Sequence, residues 1–401
     1  MQNKSSAAVI FSTNIALEVT SVTAFVCGPA FQRLFGLTKT QLGICLGTAS
    51  VGALLMNLVV GHITLRRGTY ATLVTGLIFT VCGIAMLVAA TGFPMLLGGL
   101  GVVGVSGAFI ANANATFLAD LFGHRLRRIM SLASGLWFGS SVISAPAIGM
   151  WVKLAGDRNW GAWTFRAPYL MDLVLVSTCL VLASRLLRPG SPSRDRRGDH
   201  RAAGANPAAR APGPNASGKQ WVWVPVLGLF HGLMVISMLA WINPTVQAKF
   251  GADELEGALL LGTVYLGLCA GRLILASIEL AVDDRIILAA SAILGAVFFG
   301  LGLCAPTYGI ALVTLGIGGL AGCATYPSML SLTGTRFPES KSRVYGYLEA
   351  SVASMGLTGP ALVGVLADRG LSLWVALGIS PLAGLVLGSG ALLWRMQDRA
   401  G

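Results

Sequence analysis

Residues 189–220 read PGSPSRDRRGDHRAAGANPAARAPGPNASGKQ, the one long stretch of this 401-residue chain with no apolar period. Pro, Gly, Ala and Arg dominate it, so it cannot bury a core and reads as a flexible tether. What flanks it decides the fold. Runs of about 20 apolar residues, the length a helix needs to cross a hydrocarbon core of about 30 Å, occur six times before it and six times after. They fall near 8–30, 41–62, 70–91, 94–118, 129–152 and 168–187, then 221–246, 257–279, 285–304, 307–331, 343–367 and 372–394. The expectation is an all-α membrane protein of twelve transmembrane helices in two pseudo-symmetric six-helix halves, 1–188 and 221–401, joined by the 189–220 linker.

Composition points the same way. The chain is 55% hydrophobic and 11% charged, under half the roughly 25% charge of an average soluble domain, which excludes a water-exposed globule. A net charge of +12 would suggest a nucleic-acid partner for a soluble protein, but here it follows topology. With the N-terminus placed inside, about three quarters of the Lys and Arg fall on that side, so both termini are expected in the cytoplasm, most simply of a bacterial inner membrane. The linker arginines then read as an orientation signal and solvated tether, not as a nucleic-acid site. The Asn215-Ala216-Ser217 sequon lies on the wrong side for glycosylation. The first run is too long for a cleaved signal, carries Glu18 mid-run and lacks a small-x-small cleavage site, so it is expected to stay as span 1. Seven cysteines are scattered singly with no metal spacing and read as small membrane-buried residues.

A fragment of internal repeat is readable. Arg128 opens the fifth run, which continues through Gly135 and Gly139 to Ala145-Pro146 and Gly149; Arg343 opens the eleventh, which continues through Gly356 to Gly359-Pro360 and Gly364. Small residues at this spacing let helices approach closely and Pro permits a bend. Matching depth in both halves points to paired helices that rock together.

With two six-helix halves, a basic central linker and this Gly-Pro pattern, the chain resembles the major facilitator superfamily over essentially its whole length. The resemblance implies the major facilitator fold, a small-molecule substrate bound between the halves, and a signature G-x-x-x-D-R-x-G-R-[RK] after helix 2. Gly61, Arg66 and Gly68 match it; Leu65 stands at the acidic position and Thr69 and Tyr70 at the later basic ones. The loop-to-helix charge contact of the family is therefore incomplete. The loop after helix 8 keeps only Gly271-Arg272 and a displaced Asp284-Arg285. The Asp120 to Arg128 and Arg336 to Arg343 segments supply charges where the family makes inner-face contacts. A finer likeness, to the sugar:proton symporters typified by fucose permease, rests on Ala324 to Leu330, Gly271-Arg272 and Asn114. The acids of that branch in helices 1 and 4 fall here on Phe25 and Ile110, so neither the sugar nor the familiar proton site carries over.

A charge at mid-bilayer costs about 2.5–3.5 kcal/mol on insertion scales, so each buried ionisable group needs a partner, a cavity or a function. Glu18 and His231 sit at equal depth in helices 1 and 7, and either can take up and release a proton as its surroundings alternate between wet and dry. The two can also bond each other as a contact between halves. Glu349, two turns into helix 11, reads as a salt-bridge partner of Arg343 or Arg272 or as a second proton carrier. Asp172 reads as interfacial. Asn112 and Asn114 lie about 200° apart on helix 4, so they cannot face one cavity together. Asn14, Asn57, Trp241, Asn243, Tyr326 and Tyr347 complete the candidate cavity lining, while Trp221, Trp223, Trp374 and Trp394 read as interfacial anchors.

No nucleotide-binding, nucleophile-elbow or zinc motif is present, so an enzyme is not expected, and no cofactor or metal is implied. The residues favour a proton-coupled secondary transporter of a small polar neutral or cationic metabolite, since no mid-helix Arg or Lys stands out to pair with an anion. An organic-anion carrier using Arg272, and a non-transporting scaffold or sensor, are the alternatives. The expected partners are the lipid bilayer, the substrate and a proton or other coupling ion, with the chain a monomer.

Overall fold

The computed structural model describes residues 2–122, 126–187, 222–278, 282–337 and 341–400. Among them are twelve helical segments long and apolar enough to cross a membrane: spans 1 to 6 at Ala7–Phe35, Lys39–Arg67, Thr69–Val88, Phe93–Leu118, Leu132–Asp157 and Trp163–Leu186, and spans 7 to 12 at Trp223–Phe250, Glu254–Ser277, Asp284–Cys304, Tyr308–Arg336, Val344–Asp368 and Leu373–Trp394. Each apolar run meets one span. The 189–220 linker, its sequon and Trp221 lie outside the described residues, as do the side chains of Asp120, Arg128 and Arg343.

Local chemistry explains the ends. Thr38 caps span 2 in a reciprocal box with Gln41, and Asp253 caps span 8 in the same way with Glu256, each satisfying two otherwise orphaned amides. Gly251, at φ 66°, closes span 7 in the left-handed conformation that a side chain would resist. Span 10 is broken between Gly322 and Thr325. Ser291 of span 9 bridges that break, donating to the Ala321 carbonyl at 2.5 Å and accepting from the Ala324 amide at 3.2 Å.

The repeat runs deeper than the fragment visible in the sequence. A β-carbon on Gly52 would overlap the Gly101 carbonyl oxygen of span 4, and one on Gly104 would overlap the Ala49 carbonyl of span 2. In the second half Gly267 meets Gly316 and Gly319 meets Val264 in the same way. All four pairs of equivalents are related by one offset of 215 residues, as are the two capping boxes and Pro29 and Pro244 inside spans 1 and 7. Pro146 and Pro360 miss that register by one residue.

The halves meet through crossed pairs, span 2 with span 11 and span 5 with span 8. Gly43 lies against the Pro360 carbonyl, Gly47 against Leu357 and Gly364 against the Lys39 carbonyl. At the equivalent crossing Gly149 faces Ala258 and the Glu254 carbonyl. Gly359 packs on Ser237 of span 7, and Gly262 on the Pro146 ring. These crossings sit toward the face opposite the termini, here the distal face, although spans 5 and 8 stay together as deep as Gly135 and Leu273. Gly61 and Gly346, near the other ends of spans 2 and 11, have open space around them. Spans 2 and 11 therefore touch distally and part toward the terminus-bearing face.

Several expectations fail because packing, not position along a span, decides burial. Trp394 is not an interfacial anchor but is 1% exposed in the core of the second half. Asp172 is likewise buried, at 3% exposure, because span 6 turns it onto span 1 and away from the membrane surface. Trp374 is exposed, with the Lys249 ammonium 5.0 Å from its ring centroid. Of the cysteines, Cys82 and Cys304 are exposed.

Candidate functional site

Counting about 1.5 Å per residue from the terminus-side ends of the spans puts His231, Tyr326, Glu18 and Tyr265 about 12–18 Å deep and Trp137 and Glu349 about 8 Å deep. They converge at the junction of the halves. Glu18, 5% exposed, receives the indole N–H of Trp137 on one carboxylate oxygen and the Ser141 hydroxyl, at 2.9 Å, on the other. Trp137 and Ser141 are four residues apart on span 5, hence on one face. The Tyr265 hydroxyl of span 8 approaches the same carboxylate from the opposite half, its ring tilted against Phe138 at 5.7 Å.

Across the cluster, Tyr326 sits just past the break in span 10. Its hydroxyl donates to Glu349 and its ring stacks on His231 with centroids 5.7 Å apart. Glu349 thus engages Tyr326 and forms no ion pair with Arg272. Nor do Glu18 and His231 bond each other. Under the 215-residue offset Glu18 corresponds to Leu233, two positions beyond His231, and two helical residues differ by about 200° in direction. Equal depth did not mean a shared face.

Arg272 changes the electrostatics most. Its backbone lies five residues from the end of span 8, yet its guanidinium reaches inward to stand 4.5 Å from the Phe138 ring centroid, a cation–π contact. Its Nε is buried without a hydrogen-bond partner, and no carboxylate among the described residues forms an ion pair with it. The supposed absence of a mid-membrane cation is therefore overturned, because a long side chain at an inner position projects to the middle. Arg272, Tyr326 and Glu349 are half-buried, so the cluster borders accessible space.

The other candidates fall elsewhere. Asn114 bonds Asn14 at 2.8 Å and Thr13 at 3.1 Å, tying span 1 to span 4 inside the first half. Asn112 accepts from Thr64 at 2.8 Å and ties span 2 to span 4. Trp241 is fully buried and donates to the Pro360 carbonyl at 2.9 Å; Asn243 is fully buried and donates to the Val26 carbonyl at 3.2 Å. These four asparagines and the tryptophan are spent on helix contacts, as buried amides and indoles require. Asn57 is half-buried at the position equivalent to Arg272, and Tyr347 is exposed. Arg66 is exposed, and Gly68, at φ 87°, makes the turn from span 2 to span 3. The sequence reading missed Trp137, Ser141 and Tyr265. The signal for the first two was their spacing of four on a small-residue helix; Tyr265 had only a hydroxyl in mid-span.

The distal face is fastened by charge. Asp368, at the end of span 11, accepts from the amides of Lys39 and Thr40 at 3.2 and 2.8 Å and from the Thr40 hydroxyl at 2.6 Å. Lys153 pairs with Asp253 at 2.5 Å and Arg33 with Glu254 at 2.6 Å. Each tie joins one half to the other.

The Major Facilitator Superfamily model matches residues 9–242 and again 226–401. The chain belongs to that superfamily. No curated protein matches it. Among solved structures it is similar to a variant of the E. coli fucose:proton symporter, at 15% identity and a TM-score of 0.66, over 98% of this chain and 99% of that one. The same transporter in an outward conformation gives 16% and 0.66 over the same shares. A D-xylose-proton symporter gives 14% and 0.75, over 96% and 97%. The chain is an integral multi-pass membrane transporter of the superfamily and not an enzyme. Among the described residues no group of His, Cys, Asp and Glu is placed to hold a metal.

Proposed function

We propose that this superfamily member couples movement of a small polar metabolite to a proton bound at Glu18. One observation carries the reading: Glu18 is a mid-membrane carboxyl whose donors, Trp137 and Ser141, belong to its own half while Tyr265 approaches from the other. Rocking the halves separates Tyr265 from Glu18 and changes the access of water to the carboxyl, which is what a proton carrier in alternating access needs. The proton-linked transporters of the same fold support it by analogy alone. With the distal ties made and spans 2 and 11 parted at the other end, the conformation is open toward the terminus-bearing face, read from the basic residues as the cytoplasm of a bacterial inner membrane.

The test is uptake into proteoliposomes with and without an imposed pH gradient, for Glu18→Gln against the parent. The expected outcome is loss of gradient-driven accumulation with substrate exchange retained. Gradient-driven uptake unchanged in Glu18→Gln removes Glu18 from the coupling role.

A further inference from the structure

We infer that the transported metabolite is a small organic acid whose single ionised carboxylate docks on Arg272. The inference rests on the transport reading and names its substrate class. Both carboxylates of the central cluster are already engaged, the Glu18 oxygens by Trp137 and Ser141 and Glu349 by Tyr326, while His231 stacks on Tyr326 with its Nδ1 unbonded. Arg272 has one face against the Phe138 ring and an orphaned Nε, with no acid paired to it. Glu18 is near enough to act on Arg272 through space but forms no ion pair with it, and a guanidinium left unpaired in the membrane interior is costly, a cost that a directly bound anion lowers.

The surroundings favour a carboxylate in particular. A planar guanidinium presents parallel N–H groups that match a carboxylate in a bidentate fork, which a sugar hydroxyl cannot reproduce. Gly271, beside Arg272, packs on Cys323 at the break in span 10, so the twelve-residue helix Thr325–Arg336 starts next to the guanidinium and adds the positive end of its dipole. With Arg272 the one such cation in the cluster among the described residues, one carboxylate is matched and a second would be left unpaired. Phe138, Tyr265 and Trp137 offer an aromatic wall for the body of the ligand, and Tyr326 and His231 offer polar groups on the other side.

The experiment compares thermal stabilisation of the purified full chain by matched pairs at millimolar concentration: lactate against lactamide and gluconate against glucose. The expected result is a saturable rise in melting temperature of about 2–5 °C at roughly 100 times Kd for at least one carboxylate and none for its neutral partner. Arg272→Gln should abolish that shift, and Arg272→Lys, which keeps the charge but not the fork, should weaken it. A neutral partner that stabilises as well as its acid, a panel in which no carboxylate stabilises, or a carboxylate shift that survives Arg272→Gln overturns the inference. The matched pairs decide the question on the parent chain even if Arg272→Gln does not fold. Binding needs no gradient, so the two readings fail separately. Carboxylate binding without proton-driven uptake leaves Arg272 standing and sinks Glu18; proton-driven uptake of a neutral sugar does the reverse.

Discussion

Lys153 and Asp368 occupy equivalent positions, 215 residues apart, at the distal ends of spans 5 and 11, and each reaches into the other half with opposite charge. Asp368 caps the amides that open span 2, while Lys153 pairs with Asp253, the residue that caps span 8. A carboxylate at a helix N-terminus satisfies both the free amides and the helix dipole directly. A lysine at the same place cannot, and it pairs instead with Asp253, the acid that stands where span 2 has its capping Thr38. The same closure is thereby built twice from inverted charges.

Removing Asp368 should loosen the distal face. Asp368→Ala deletes a cap worth about 1 kcal/mol and should shift the halves toward distal opening, read as a longer distance between spin labels placed at the distal ends of the two halves. An unchanged distance distribution would show that the glycine crossing alone holds spans 2 and 11 together.

The Lys153 tie should be exchangeable in sign. Lys153→Asp alone sets like charges against each other and should open the same label pair; adding Asp253→Lys should recover part of the closure at the expense of the span 8 cap. Failure of the double variant to recover anything would mean that the cap, and not the ion pair, matters at this site.

The tie also carries a pH dependence. Burial pushes the Asp253 carboxyl up, but the Lys153 hydrogen bond and charge and the amides of Glu256 and Leu255 outweigh it and hold the group below the ordinary carboxylate range. A depressed carboxyl contributes stability above its unfolded value of about 3.9 and loses it as pH falls below that value. Distal closure should therefore weaken below about pH 4 in the parent; because the Asp368 carboxylate is held by the Thr40 and Lys39 hydrogen bonds as well, Asp253→Asn should reduce that dependence and the further change Asp368→Asn should reduce it again.

Glycines should divide by contact. Gly104→Ala and Gly319→Ala drive a methyl into the carbonyls of Ala49 and Val264 and should each destabilise by about 1–3 kcal/mol. Gly61→Ala and Gly346→Ala enter open space and should be neutral or stabilising by up to about 1 kcal/mol. Melting temperatures of the four purified variants check the contrast; equal losses in all four would contradict the parting of spans 2 and 11.

Tyr326→Phe, which removes the hydroxyl that holds Glu349 at the edge of the proposed Arg272 site, should weaken substrate binding about tenfold. Asn114→Ala should instead cost stability and leave affinity unchanged, because its partners Thr13 and Asn14 lie within the first half. Affinities from thermal titration separate the two.

By itself the sequence determined the twelve spans and the helix-contact glycines. Those follow from hydrophobic length and small-residue spacing, which are local properties of the chain. It also supplied the short list of membrane-embedded ionisable groups, because their scarcity is a matter of composition. Only the tertiary structure decided what each group faces. Helix rotation turned Asp172 and Trp394 inward, spent Asn114, Trp241 and Asn243 on neighbouring helices, and set Glu18 and His231 on different faces. The reach of one side chain, Arg272, carried a cation from an inner helix end to the middle. Direction around a helix axis and side-chain reach are fixed by packing against other helices, and no periodicity in a uniformly apolar span records them.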